Sequence, residues 1–159
     1  MAARLGSARD RQAVRDSVDA SFTTVSDDRI TNEEALALYE SVGWTAYTRD
    51  PLALRQALNN SPFVVCARDE HGELIGIVRA VSDDVTICYI QDILVIPGRQ
   101  CNGVGRALLN QVKARYEHVR QTILLTDNEP AQRAFYEAMG FIEDSNFTPK
   151  PLRVFALFR

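Results

Sequence analysis

From Pro62 to Ile96 the chain alternates apolar runs with short polar turns: Phe63 to Arg68, Leu74 to Val81 and Val85 to Ile96, separated by Asp69 to Gly72 and Ser82 to Asp84. Val- and Ile-rich runs of this length, bounded by Gly, Asp and Ser, predict an antiparallel meander. The segment before it has helical spacing. Thr31-Asn32-Glu33-Glu34 reads as a capping box, and Ala35, Leu36, Leu38, Tyr39 and Val42 form an apolar stripe ended by Gly43. Asp50-Pro51 repeats the start signal for a second helix carrying Leu52, Leu54 and Leu58. After the meander the period changes back and forth. Gly103 to Tyr116 reads as a helix, Gln121 to Thr126 as a strand, and Pro130 to Met139 as a helix closed by Gly140; Phe141 and Val154 to Phe158 supply two last strands. A short strand at Phe22 to Val25 opens the folded part, whereas residues 1–20 carry few large apolar groups and read as a disordered or loosely helical extension. The pattern predicts an α+β domain over residues 21–159.

Composition narrows the function classes. A chain of 159 residues with 46% hydrophobic content is long enough for one domain with a substantial core. A net charge of -3 gives no global reason to bind nucleic acid or an anionic membrane, so a neutral or cationic small molecule is the expected partner. Cys66, Cys88 and Cys101 are odd in number and show no C-x-x-C spacing, which argues against a disulfide framework or a zinc site. No apolar run reaches membrane-spanning length and the first 20 residues lack a signal-peptide core, so a cytoplasmic location is expected.

The most informative run is Ile93-Leu94-Val95-Ile96-Pro97-Gly98-Arg99-Gln100-Cys101-Asn102-Gly103-Val104-Gly105-Arg106. It joins an apolar strand to a helix through a polar loop with two glycines. The first N–H groups of a helix lack intrahelical partners and carry the positive end of its dipole, so such a loop suits a phosphate or pyrophosphate, with Arg99 and Arg106 adding charge. A Walker A loop is excluded because Gly105 is followed by Arg106-Ala107 rather than Lys-Ser or Lys-Thr. A dinucleotide fingerprint is excluded because Leu108 stands where its third small residue belongs.

Gln100-x-x-Gly103-x-Gly105 after a Val95-Ile96-Pro97 strand end resembles the acyl-CoA-binding motif of the GNAT N-acetyltransferase superfamily. Ala134-Phe135-Tyr136-Glu137-Ala138-Met139-Gly140-Phe141 resembles its second, helix-borne motif. The two occur in the family's order with a strand between them, and the resemblance covers about residues 30 to 145. It implies a mixed, mostly antiparallel sheet of 6–7 strands flanked by about four helices. It also implies acetyl-CoA as cosubstrate and no metal. Ile93, Leu94 and Val95 would pair with the pantetheine arm, while Gln100, Cys101, Asn102, Gly103, Val104, Gly105 and Arg106 would hold the pyrophosphate. Asn128 lies one residue before the position of a cofactor-touching asparagine in many relatives, which is Glu129 here. Cys101 stands where many relatives have glycine.

Tyr136 matches the tyrosine placed near the thioester sulfur, where a phenol can protonate the departing thiolate. Stretches such as Leu38-Tyr39-x-x-Val42-Gly43-Trp44 and Asp92-Ile93-Leu94-Val95 look like the arylalkylamine, or serotonin-type, branch of the family, in which an aspartate matching Asp92 pairs with that tyrosine as base. Asp92 reads equally as a structural carboxylate, because a charge within an apolar strand is costly unless paired. Trp44 and Tyr47 are candidates for an acceptor pocket or for core filling. The expected activity is transfer of an acetyl group to a small primary amine, with a homodimer implied by many relatives. A protein lysine or N-terminal acetyltransferase and a non-catalytic acyl-CoA sensor are the alternatives.

Overall fold

Thr31 begins the first helix as the sequence predicts: its hydroxyl accepts from the Glu34 amide at 3.1 Å, and the Glu34 carboxylate accepts from the Thr31 amide at 2.8 Å. The computed structural model describes residues 21–26 and 29–158. The expected extension over residues 1–20 and the Asp27-Asp28 pair therefore lie outside the described residues. Strand β1 (Phe22–Ser26) leads to α1 (Asn32–Ser41), a single-turn α2 (Thr45–Thr48) and α3 (Pro51–Asn60), which Asp50 caps through the Ala53 amide at 3.0 Å. The meander follows as β2 (Phe63–Asp69), β3 (Leu74–Ser82) and β4 (Ile87–Val95). Helix α4 (Val104–Arg115), strand β5 (Gln121–Leu124) and helix α5 (Pro130–Ala138) complete the order.

The strands form one sheet in the order β1-β2-β3-β4-β5, antiparallel except for the parallel β4–β5 pair. Helices cover both faces. One face packs Val78, Ala80, Cys88 and Ile90 against Val104, Leu108 and Val112 of α4 and Tyr136 of α5; the other packs Cys66, Ile77 and Leu94 against Leu38, Tyr39, Leu54 and Leu58. Burial of these apolar side chains in a closely packed interior is the main stabilising term.

The sheet has five strands among the described residues, not the 6–7 expected, and five α-helices rather than about four. The difference lies after α5. Phe141 follows the helix without pairing, a short 3-10 turn forms at Asp144–Asn146, and Val154 to Phe158 run exposed with no strand partner. Pro149 and Pro151 lie just before that last segment and cannot donate to a ladder.

Two features of β4 position the site. Arg79 pairs with Asp92 and Ala80 with Ile90, so Gln91 has no opposite number and bulges. The bulge reverses the alternation: Cys88 and Ile90 face α4, but Asp92 contacts Tyr39 and Leu94 packs beside α1 and α3. The pairing of β4 with β5 covers only Ile87 to Ile90 on β4, so the strands part before Gln91 and, among the described residues, no strand covers that side of β4 up to Val95.

Candidate active site

A cleft of about 500 Å³ opens where β4 and β5 separate. Ile93, Leu94 and Val95 form one wall, Gln100, Cys101, Gly103, Gly105 and Arg106 form its floor, and Phe135 and Tyr136 close it from α5. Backbone donors on a splayed strand are what an extended, amide-containing ligand can pair with.

The floor is built by two residues in left-handed conformation, Cys101 at φ 63° and Gly103 at φ 83°. Gly103 is the N-cap of α4 and offers no side-chain cap, so the first amides of that 12-residue helix have no capping partner. These donors, the helix dipole and Arg106 fit an anion such as a pyrophosphate. Gln100 anchors the loop by donating from Nε2 to the Val95 carbonyl at 3.1 Å. Arg99, expected to add charge here, instead pairs with Asp69 at 3.2 Å. A left-handed non-glycine residue costs about 1–2 kcal/mol, part of which glycine returns through its greater freedom when unfolded. Cys101→Gly is therefore expected to raise stability by about 0.5–1 kcal/mol, measured by urea unfolding.

Tyr136 reaches the cleft from α5 and is 8% exposed. Burial pushes its phenol up to about 12, against a smaller opposing effect of a hydrogen bond with Thr126. The group is thus protonated throughout the neutral range and available as a donor. Its ring stands edge-on to Phe135 and Phe141, with centroids 5.1 and 5.9 Å away.

Asp92, expected as a catalytic residue, does not line the cleft; it is 1% exposed and held by three side chains. Its Oδ2 accepts from Arg79 Nε and Nη2, each at 2.6 Å, and from the Tyr39 hydroxyl at 2.7 Å; Oδ1 accepts from the Tyr47 hydroxyl at 2.9 Å. Burial alone would lower the Arg79 guanidinium, but the adjacent carboxylate more than offsets it and leaves it raised. Burial, reinforced by the same carboxylate, raises both Tyr39 and Tyr47. An ammonium cannot touch Asp92 without first displacing Tyr47 or Tyr39. Trp44 does line the cleft, and it stacks on Tyr47 with centroids 5.7 Å apart and planes at 24°.

Of the residues expected at the site, the cleft therefore joins Ile93, Leu94, Val95, Gln100, Cys101, Gly103, Gly105, Arg106 and Tyr136. Val104 is buried in the core with only its backbone at the helix start; Asn102 and Asn128 are exposed and do not line the cleft. Asp127 and Gln132 line it without having been expected, as do Val42 and Phe135. Arg79 and Tyr39 were also missed as partners of Asp92, although an arginine within the apolar run of β3 carries the same signal as an aspartate within that of β4. Among the described residues no group of His, Cys, Asp or Glu could hold a metal ion, and no helix is long and apolar enough to cross a membrane.

Residues 29–141 match the model of the Acetyltransferase (GNAT) family. The chain belongs to that family. A GNAT-family acetyltransferase of Streptococcus pneumoniae TIGR4 superposes with a TM-score of 0.71 at 27% identity, covering 85% of this chain and 98% of that one. An uncharacterised N-acetyltransferase, ycf52, of Pyropia yezoensis is 30% identical over 67% of this chain and 62% of its own length. The histone acetyltransferase TAP1 of Glycine max is 35% identical over 68% of this chain and 50% of its own length. The chloroplastic serotonin N-acetyltransferase 2 of Oryza sativa is 29% identical over 67% and 52%. The matched region of this GNAT chain thus spans between half and two thirds of these curated relatives. GNAT acetyltransferases use acetyl-CoA, and the open β4 edge above an uncapped helix start fits its amide-bearing arm and its pyrophosphate.

Proposed function

We propose that this GNAT domain transfers the acetyl group of acetyl-CoA to a small primary amine, with Tyr136 as the acid and the Trp44 end of the cleft as the acceptor side. The observation that carries the reading is one cleft in which a splayed strand edge, an uncapped helix N-terminus and a buried, protonated phenol converge. Bound acetyl-CoA supplies an activated acyl group. The free amine forms a bond to the thioester carbon, the carbon–sulfur bond breaks, nitrogen sheds one proton and sulfur gains one. A phenol near 12 is a weaker acid than a thiol of ordinary pKa, about 8.5, so outright ionisation of Tyr136 is uphill. Tyr136 therefore donates a hydrogen bond to the developing thiolate and passes its proton on as it regains one shed by nitrogen. Asp92 acts on the acceptor side through Tyr47 rather than by contact.

An aromatic wall at the acceptor end favours an amine with an aromatic ring or a cationic group, through stacking and cation–π attraction. The rice relative's name points the same way, while the soybean relative's name supports lysine in a protein as the second reading. The test follows thiol release from acetyl-CoA over arylalkylamines, polyamines, amino acids and lysine peptides. Turnover is expected with the small amines, rising about tenfold per pH unit while the ammonium form dominates, because only the free amine attacks. Tyr136 sets no upper limit below its own raised value. Turnover of peptides alone would move the acceptor to proteins, and cofactor binding without any turnover would leave only a sensor.

A further inference from the structure

Helix α2 has four residues, no side-chain cap and no buried residue, so it has little means of holding its own position. Yet Trp44, at its start, lines the catalytic cleft. The contacts that fix it run inward. Trp44 stacks on Tyr47, whose hydroxyl donates to Asp92 Oδ1 at 2.9 Å and accepts from Gln91 Nε2 at 2.9 Å. Asp92 is fixed by Arg79 and Tyr39, and Arg79 Nη1 donates to Ser61 at the end of α3 at 3.2 Å. The bulge at Gln91 places both Asp92 and the Gln91 amide within reach of that one phenol.

We propose that Tyr47 is the positioning residue of the acceptor side, tying Trp44 to the buried Arg79–Asp92 pair and so fixing the wall against which the amine binds. The inference rests on the amine acetyltransferase reading. Tyr47 touches no reacting atom: it sets where Trp44 stands, so its loss acts on amine binding before it acts on chemistry.

Tyr47→Phe keeps the ring and removes only the hydroxyl. Its amine KM is expected to rise about tenfold, the size of one hydrogen bond to a carboxylate, with the acetyl-CoA KM within about twofold of the parent value. Trp44 is the only tryptophan in the chain, so its fluorescence reports the wall directly. Acrylamide quenching of Trp44 is expected to increase in Tyr47→Phe and, to a smaller degree, in Gln91→Met, which removes the second contact to the phenol. Unchanged quenching in both variants overturns the proposal, as does a fall in kcat with the amine KM unmoved. If the unsubstituted protein turns over no amine, the acetyltransferase reading fails, and the quenching comparison still decides whether Tyr47 positions Trp44.

Discussion

Tyr136→Phe is expected to lower kcat by about 10²–10³-fold while leaving acetyl-CoA binding within about twofold, since a positioned proton donor contributes on that scale. The substitution removes one oxygen and leaves the ring between Phe135 and Phe141, so the fold is retained. The loss belongs to the step in which sulfur departs. It should therefore shrink when the acyl donor carries a more acidic thiol, which needs less help to leave. Stopped-flow binding alongside steady-state thiol release separates the two parameters. A variant with an unchanged kcat would remove Tyr136 from the chemistry and reduce it to a packing residue.

Arg79→Met is expected to cost about 3–5 kcal/mol of stability, because it leaves the Asp92 carboxylate buried without its cation. The pair is 6% and 1% exposed, so solvent cannot compensate. Adding Asp92→Leu to Arg79→Met should recover a large part of the loss, since apolar residues of similar volume often replace a buried ion pair at little cost. The recovery stops short of completeness because the Tyr39 and Tyr47 hydroxyls then lack their acceptor. Urea unfolding of both variants measures the coupling. A single-variant cost below about 1 kcal/mol would show that the pair does not anchor this side of the sheet.

Local signals in the sequence were sufficient where they act within a few residues. Thr31 with Glu34 and Asp50 with Pro51 gave the starts of α1 and α3, because capping is chemistry between near neighbours. The run from Gln100 to Gly105 gave the cleft floor, because its left-handed backbone and open helix start are encoded in the same loop. Asp92 was visible as a charge in an apolar strand, but its face was not. Strict alternation through Cys88, Ile90 and Asp92 would direct it at α4, and only the bulge at Gln91, a property of the pairing with β3, turns it toward Tyr39. Asn128 is singled out in the sequence only by lying one residue before a motif position held by Glu129, yet it is Asp127 that lines the cleft, a difference of one residue in the loop path. The last strands were read from apolar runs, and an apolar run carries no information about whether an open edge lies within reach.

A bulge is a count of residues, which point substitution at Gln91 leaves intact. Losing Gln91 leaves Ile90 and Asp92 adjacent and still opposite Ala80 and Arg79, so simple alternation keeps the carboxylate on the Tyr39 side and Leu94 beside α1 and α3. An in-frame deletion of that single codon thus spares the facing of β4, and what it takes from the acceptor half is the Gln91 amide that the Tyr47 hydroxyl accepts from.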